Sequence, residues 1–194
     1  MLGLAHDTDP AWVGIAAGDL PGLLADHAHC ELKAAQSALS LLARFSGEHP
    51  HLVEPLVALA QEETEHFQRV EQQLESHGGV LGMPEVDGYV RELTAAARRD
   101  HKNFPMLLDR LLISALIEAR SAERFHLLAE HLPEAELRAF YADLLASEAR
   151  HYRLFRDLAE QSFGEDAARA RFTTLSQREA EVAAALPLAP TVHG

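Results

Sequence analysis

A chain of 194 residues with 47% apolar side chains is long enough to bury a core and is expected to form one domain over 1–194. Its one cysteine, Cys30, excludes an intrachain disulfide framework, and its net charge of −13 argues against broad, sequence-independent binding to nucleic acid. No apolar run reaches the roughly 18 residues of a membrane span, and the first residues lack the basic start and apolar stretch of a signal peptide, so a cytoplasmic protein with no membrane partner is expected.

Aromatic residues are few, and Leu and Ala dominate, which favours helices over strands. After a short segment around Trp12, Asp19-Leu20-Pro21 opens a long helix, with Pro tolerated in its first turn. That helix runs to about Phe45 and stops at Ser46-Gly47. His49-Pro50 starts a second long helix, which ends at Gly78-Gly79. A connection follows from Val80 to about Asn103, holding Gly82-Met83-Pro84 and a helical stretch from Tyr89 to Arg99. The third long helix begins near Pro105 and ends before Pro133, where the fourth starts and runs to Gly164. A last helix covers 165–186, ahead of a Pro-containing tail. Hairpin, long crossover, hairpin is the order of a ferritin-like four-helix bundle, so the expected fold is all-α, with the core bundle over about 20–163 and additional short and C-terminal helices.

Each long helix carries an apolar stripe at i, i+3, i+4, i+7 spacing. The first reads Leu20, Leu24, His27, Glu31, Ala34, Ala38, Leu41, Phe45, and the second reads Leu52, Leu56, Leu59, Glu63, His66, Val70, Leu74. The third reads Leu108, Leu111, Ala115, Glu118, Ala122, Phe125, and the fourth reads Leu137, Tyr141, Leu144, Glu148, His151, Phe155, Leu158. A carboxylate interrupts every stripe midway. Burying an unpaired carboxylate costs several kcal/mol even after relaxation, so such a set demands compensating cations. Four carboxylates and two imidazoles, arranged as one lone Glu and one Glu-x-x-His per hairpin, form the ligand set of a carboxylate-bridged di-iron or di-manganese centre. The two halves thus read as diverged copies.

Two further Glu-x-x-His matches compete. Glu48 and His51 flank Pro50 in a turn and are set aside. Glu123 and His126 lie on the third helix, but level along the bundle separates them from the set. Glu118 stands fifteen residues before Pro133 and Glu148 fifteen after it, whereas Glu123 is ten before it, a mismatch of about 7.5 Å at the helical rise. His27, one turn before Glu31, reads either as a partner of that carboxylate or as an ordinary core histidine. Cys30 reads as a small packed residue. Arg120 and Arg124 read either as groups that neutralise the acidic core or contact substrate, or as a salt-bridged helix surface.

The segments His29-Cys30-Glu31-Leu32-Lys33-Ala34-Ala35, Glu62-Glu63 with His66, Ile117 to Phe125, and Ser147-Glu148-Ala149-Arg150-His151-Tyr152 resemble the MiaE family of tRNA 2-methylthio-N6-isopentenyladenosine hydroxylases. The resemblance runs from about Trp12 into the last helix, with Ala122 standing where the family pattern has Cys. It implies a ferritin-like fold with two Fe ions held by Glu31, Glu63, His66, Glu118, Glu148 and His151. It also implies O2-dependent hydroxylation of the isopentenyl group on an adenosine beside the tRNA anticodon, fed by an external electron donor such as a ferredoxin or flavin reductase. Manganese remains open, because this ligand set does not fix the metal.

RNA contact by so acidic a chain needs a local basic patch. Arg98, Arg99 and Lys102 in the crossover are the main candidates, with Arg91 and His101 beside them and Arg150, Arg153 and Arg156 on the fourth helix. Arg120 and Arg124 are further candidates for substrate contact. The rival functions are a ferritin-like ferroxidase or iron store, a di-manganese enzyme that dismutates peroxide, and a non-catalytic helical interaction module.

Overall fold

The computed structural model describes residues 2–193, the side chains of 100–102 excepted. Among the described residues there are seven α-helices and no strand. They are α1 (Ala11–Gly18), α2 (Leu20–Phe45), α3 (Val53–Ser76), α4 (Gly88–Ala97), α5 (Met106–His131), α6 (Ala135–Phe163) and α7 (Glu165–Ala185). The chain divides into two compact units: one holds 15–86 with 189–192, the other holds 87–188 with the residues up to Gly14 and His193.

The first unit is built on the hairpin of α2 and α3. Asp19 caps α2, its side chain accepting from the Gly22 N–H at 3.0 Å, and Pro21 occupies the first turn. The turn after Phe45 passes through a short 3-10 segment, Pro50–Leu52, before α3 begins. At the far end Gly78 adopts φ +73°, and the Gly79 N–H bonds back to the Leu74 carbonyl at 2.9 Å. This closure satisfies one of the last carbonyls of α3 and needs a residue without a Cβ penalty. Gly78→Ala is expected to lower stability by about 1–2 kcal/mol, the cost of a left-handed side-chain residue, read as a reduced denaturant midpoint with unchanged slope.

Inward faces follow the expected stripes except in α2, where Leu20 and Phe45 at the ends of the stripe are half-buried and Leu23, off the stripe, is buried. α3 buries Leu56, Leu59, Glu63, His66, Val70 and Leu74. α2 buries Ala28 and Ala35 beside Leu24, His27, Glu31, Ala38 and Leu41, while Ala34 is half-buried. The α2 face therefore turns slightly past the predicted line, toward small residues that allow close helix approach.

The second unit centres on α5 and α6, with α7 against both and α4 against α5 and α7. Predicted as one helix to Arg99, α4 ends at Ala97, and the chain tightens into a 3-10 turn, Arg98–Asn103. The Arg138 guanidinium donates from Nη1 to the carbonyls of Leu132 and Pro133 at 2.7 and 2.9 Å, covering the end of α5 with a cation. Gly164, at φ +86°, ends α6 and begins α7: its N–H reaches the Glu160 carbonyl and its own carbonyl receives the Ala168 N–H.

α5 is apolar on far more than one stripe. Every residue from Glu118 to Phe125 is buried. Among its charged members Arg120 and Glu123 pair with each other, as described next.

Candidate metal centre

In the α2–α3 hairpin, Glu31, Glu63 and His66 are 5%, 1% and 3% exposed. One ligand atom from each lies within 4.8 Å of the others. His66 Nδ1 stands 3.2 Å from Glu63 Oε2, the i, i+3 contact that Glu-x-x-His spacing provides, and 3.7 Å from Glu31 Oε2. Its Nε2 is 3.8 Å from Oε1 of the partly exposed Glu62. His27, fully buried, places Nε2 at 2.7 Å from Glu31 Oε1. The partner reading of His27 is therefore the one that its geometry supports.

Burial dominates the electrostatics of this cluster. It pushes the Glu31 carboxyl up to about 8, with the neighbouring Glu63 charge adding to the rise and His66 opposing it. Burial would lower His66, but its hydrogen bonds to Glu31 and Glu63 outweigh that and raise it to about 10. A site that resists a second negative charge and holds on to cationic charge is one whose carboxylates call for positive neighbours. Divalent metal supplies that charge, and two carboxylates with one imidazole are suitable donors for iron, manganese or zinc.

The α5–α6 hairpin repeats the set. Glu118, Glu148 and His151 are 5%, 3% and 3% exposed. His151 Nδ1 lies 3.9 Å from Glu118 Oε2. Glu148 stands one turn before His151 on the buried face of α6. The competing pair behaves differently. Glu123 accepts from the Thr8 N–H at 2.9 Å and the Thr8 hydroxyl at 2.7 Å and pairs with Arg120. His126 is part-exposed at the side chain and lies 3.6 Å from Glu130.

Arg120 lies in the interior, 1% exposed. Its Nε and Nη2 donate to Glu179 Oε1 at 3.0 and 2.7 Å, Nη2 also reaches the His6 carbonyl at 2.9 Å, and Nη1 bonds Thr8 Oγ1 at 3.1 Å and Glu123. Tyr89 Oη donates to the same Glu179 oxygen at 2.9 Å. Surrounding carboxylates hold the guanidinium protonated against the cost of burial. Arg124, also buried, stacks over Trp12 at 4.8 Å. Burial removes both from a helix surface, and the Arg120 donors serve this internal network. A second interior pair, Arg171 with Asp109 at 2.7 Å, fixes α7 to α5 while Arg171 stacks over Phe104 at 4.0 Å. The sequence pattern missed these networks, because the partners of each arginine lie on distant helices.

Arg98 and Arg99 are exposed at the start of the 3-10 turn, and Arg91, Arg150 and Arg153 are exposed as well. Arg156 is half-buried, stacked on Phe172 at 4.0 Å. The side chains of His101 and Lys102 lie outside the described residues. Cys30 is half-buried, its Sγ 3.8 Å from Asp26 Oδ2. No described helix is long and apolar enough to cross a membrane.

The chain is 40% identical over 172 residues to the tRNA 2-(methylsulfanyl)-N(6)-isopentenyladenosine(37) hydroxylase of Pseudomonas putida, covering 89% of this chain and 82% of that one. It is 33% identical to the protein of the same name from Salmonella typhimurium, covering 89% and 81%. Among solved structures it is similar to a Synechococcus protein described as "Protein 43 with aldehyde deformylating oxygenase activity", with TM-score 0.88 and 38% identity over 98% of this chain and 95% of that one. The fold class is accordingly all-α and ferritin-like. Residues 2–194 match the family model tRNA-(MS[2]IO[6]A)-hydroxylase (MiaE). With a buried Glu and Glu-x-x-His set in each hairpin and this match along almost the whole sequence, the chain belongs to the MiaE family.

Proposed function

We propose that the protein is a di-iron monooxygenase that hydroxylates the isopentenyl group of 2-methylthio-N6-isopentenyladenosine next to the tRNA anticodon. In this reading 1–194 works as one ferritin-like domain, and Glu31, Glu63, His66, Glu118, Glu148 and His151 hold two iron ions. The observation that carries it is the pair of buried ligand sets, one per hairpin, in a chain whose relatives are named for this hydroxylation.

The reaction consumes O2, two protons and two electrons, the electrons from an external donor of the ferredoxin or flavin-reductase class; one oxygen atom is inserted into a C–H bond to give the hydroxyl and the other leaves as water. The iron pair supplies the O2 activation that no amino-acid side chain offers. The chain's own residues do the rest. The four carboxylates supply negative charge that offsets the cations, and His66 and His151 add neutral donors that limit the net anionic charge. Leu59 and Val70 in the first hairpin, and Leu144 and Phe155 in the second, are buried on the same helix faces as that hairpin's ligands and exclude water there. Glu62, partly exposed beside His66, marks where the ligand set of the first hairpin meets solvent.

An anticodon-loop base can be splayed from its stack and read by stacking and edge contacts, with cations meeting the flanking phosphates. Arg98, Arg99 and Lys102 are assigned that phosphate role, and against a net charge of −13 the complex is expected to be weak and salt-sensitive. Neutralising the three together is expected to weaken tRNA binding and to reduce the slope of log K against log salt by about 2, at roughly 0.7 per single-strand phosphate contact. Unchanged affinity and slope would remove this patch from the reading.

The deciding experiment is nucleoside mass spectrometry of tRNA from cells with and without the protein, joined to metal analysis of the purified chain. Loss of the hydroxylated isopentenyl nucleoside, with about two iron per chain, is the expected result. The similarity to the Synechococcus protein supports a second reading, oxygenation of an aldehyde in the same kind of centre. Aldehyde turnover with unaltered tRNA nucleosides would favour it.

A further inference from the structure

The two ligand sets differ in one respect that the repeat does not share. In the first hairpin His27 is fully buried one helical turn before Glu31, with Nε2 2.7 Å from Glu31 Oε1. The other carboxylate oxygen, Oε2, is the one that faces His66 at 3.7 Å. In the second hairpin the place one turn before Glu118 is held by Ser114. No imidazole stands there, and Glu118 meets His151 through Oε2 at 3.9 Å.

A carboxylate on a rotatable side chain otherwise presents either oxygen, or both, to a cation. An N–H held on one oxygen by a buried ring fixes the plane of the group and withholds that oxygen. We propose that His27 is a positioning residue that ties Glu31 Oε1 and leaves Oε2 to the metal, so that the two metal positions are unequal and the one at Glu31, Glu63 and His66 depends on His27. This rests on the metal reading of the site given above.

The mechanism is one of order and not of charge. Glu31 and His27 share α2, an element fixed by the Asp19 cap and packed along its length on α3. Their i, i+4 relation sets the contact by helix geometry alone. Metal affinity at this position therefore includes a pre-oriented donor, whereas Glu118 must be oriented by other means. Outer partners of this kind typically contribute 10–100-fold to metal affinity.

The test is anaerobic titration of the metal-free chain with Fe(II), and in parallel with Co(II), whose visible absorption reports ligand number and geometry. His27→Gln places an amide nitrogen where Nε2 lies; His27→Leu fills similar volume with no donor. The wild-type chain is expected to take up two equivalents. His27→Leu is expected to weaken one equivalent by about 10–100-fold, leave the other unchanged and alter the Co(II) spectrum of the weakened position. His27→Gln is expected to keep both equivalents near wild type. Equal binding by wild type and His27→Leu overturns the inference, as does equal loss by Leu and Gln, which would mark a packing role. A wild-type chain that takes up no metal would instead sink the metal reading, so the two failures are distinguishable. His27→Gln retains the polar contact and remains testable if the leucine variant does not fold. In that case a Gln variant that matches wild type in both equivalents and in spectrum supports the donor role, and one that loses the first equivalent refutes it.

Discussion

Glu63→Ala and His151→Ala are each expected to reduce hydroxylation by more than about 100-fold, beyond the range seen when only an outer partner of a metal ligand is lost. Each removes a proposed metal donor that is buried at 1–3% exposure, so no solvent group is at hand to replace it. The measurement is single-turnover formation of the hydroxylated nucleoside, with metal content determined on the same samples. Full hydroxylation by either variant would withdraw that residue from the ligand set.

Arg120→Met is expected to destabilise the chain by about 3–5 kcal/mol without touching a ligand. The arginine is the cation between Glu123 and Glu179, at 6% and 0% exposure, and its loss leaves two carboxylates in the interior. Lysine would not rescue fully, because one ammonium cannot reproduce the fork that reaches Glu179, Thr8 and the His6 carbonyl together. Replacing Arg120, Glu123 and Glu179 at once with apolar residues of similar volume should recover most of the loss, since the penalty belongs to the orphaned charges and not to the absent pair. Denaturant midpoints of the single and triple variants check this; a single variant within 1 kcal/mol of wild type would show that the network contributes little.

The helices and their ends were readable because their signals are local. Asp19 with Pro21, Gly78-Gly79, Pro133 and Gly164 act within a turn of the chain, and each marks a boundary in the structure within a residue or two. The buried faces were readable for the same reason: a period of 3.6 needs no knowledge of the partner helix. Burial of Glu31, Glu63, His66, Glu118, Glu148 and His151 follows from their places on those faces. Position in the hairpin also separated Glu118 from Glu123, which turns to Thr8 and Arg120. What could not be read was pairing at long range. Glu179 is 59 positions from Arg120, Thr8 is 112 away, and Asp109 is 62 from Arg171. Nothing in the spacing distinguishes these charges from a solvated helix surface until the helices are packed. His27 lies between the cases, since its i, i+4 relation to Glu31 is local but the choice between partner and plain core residue turns on a distance.

The network around Arg120 gives the early residues of the chain an unusual standing. The His6 carbonyl and the Thr8 hydroxyl lie against a guanidinium in the middle of α5, and the Gly3 carbonyl accepts from Ser176 on α7 at 2.6 Å. Shortening the chain past Thr8, or hanging a bulky fusion partner close before Gly3, would thus withdraw acceptors from the interior and not merely shave its periphery. Expression tags are better separated from this stretch by a long flexible spacer, and a clipped preparation should be recognised by a lowered melting point before any change is seen in its metal content.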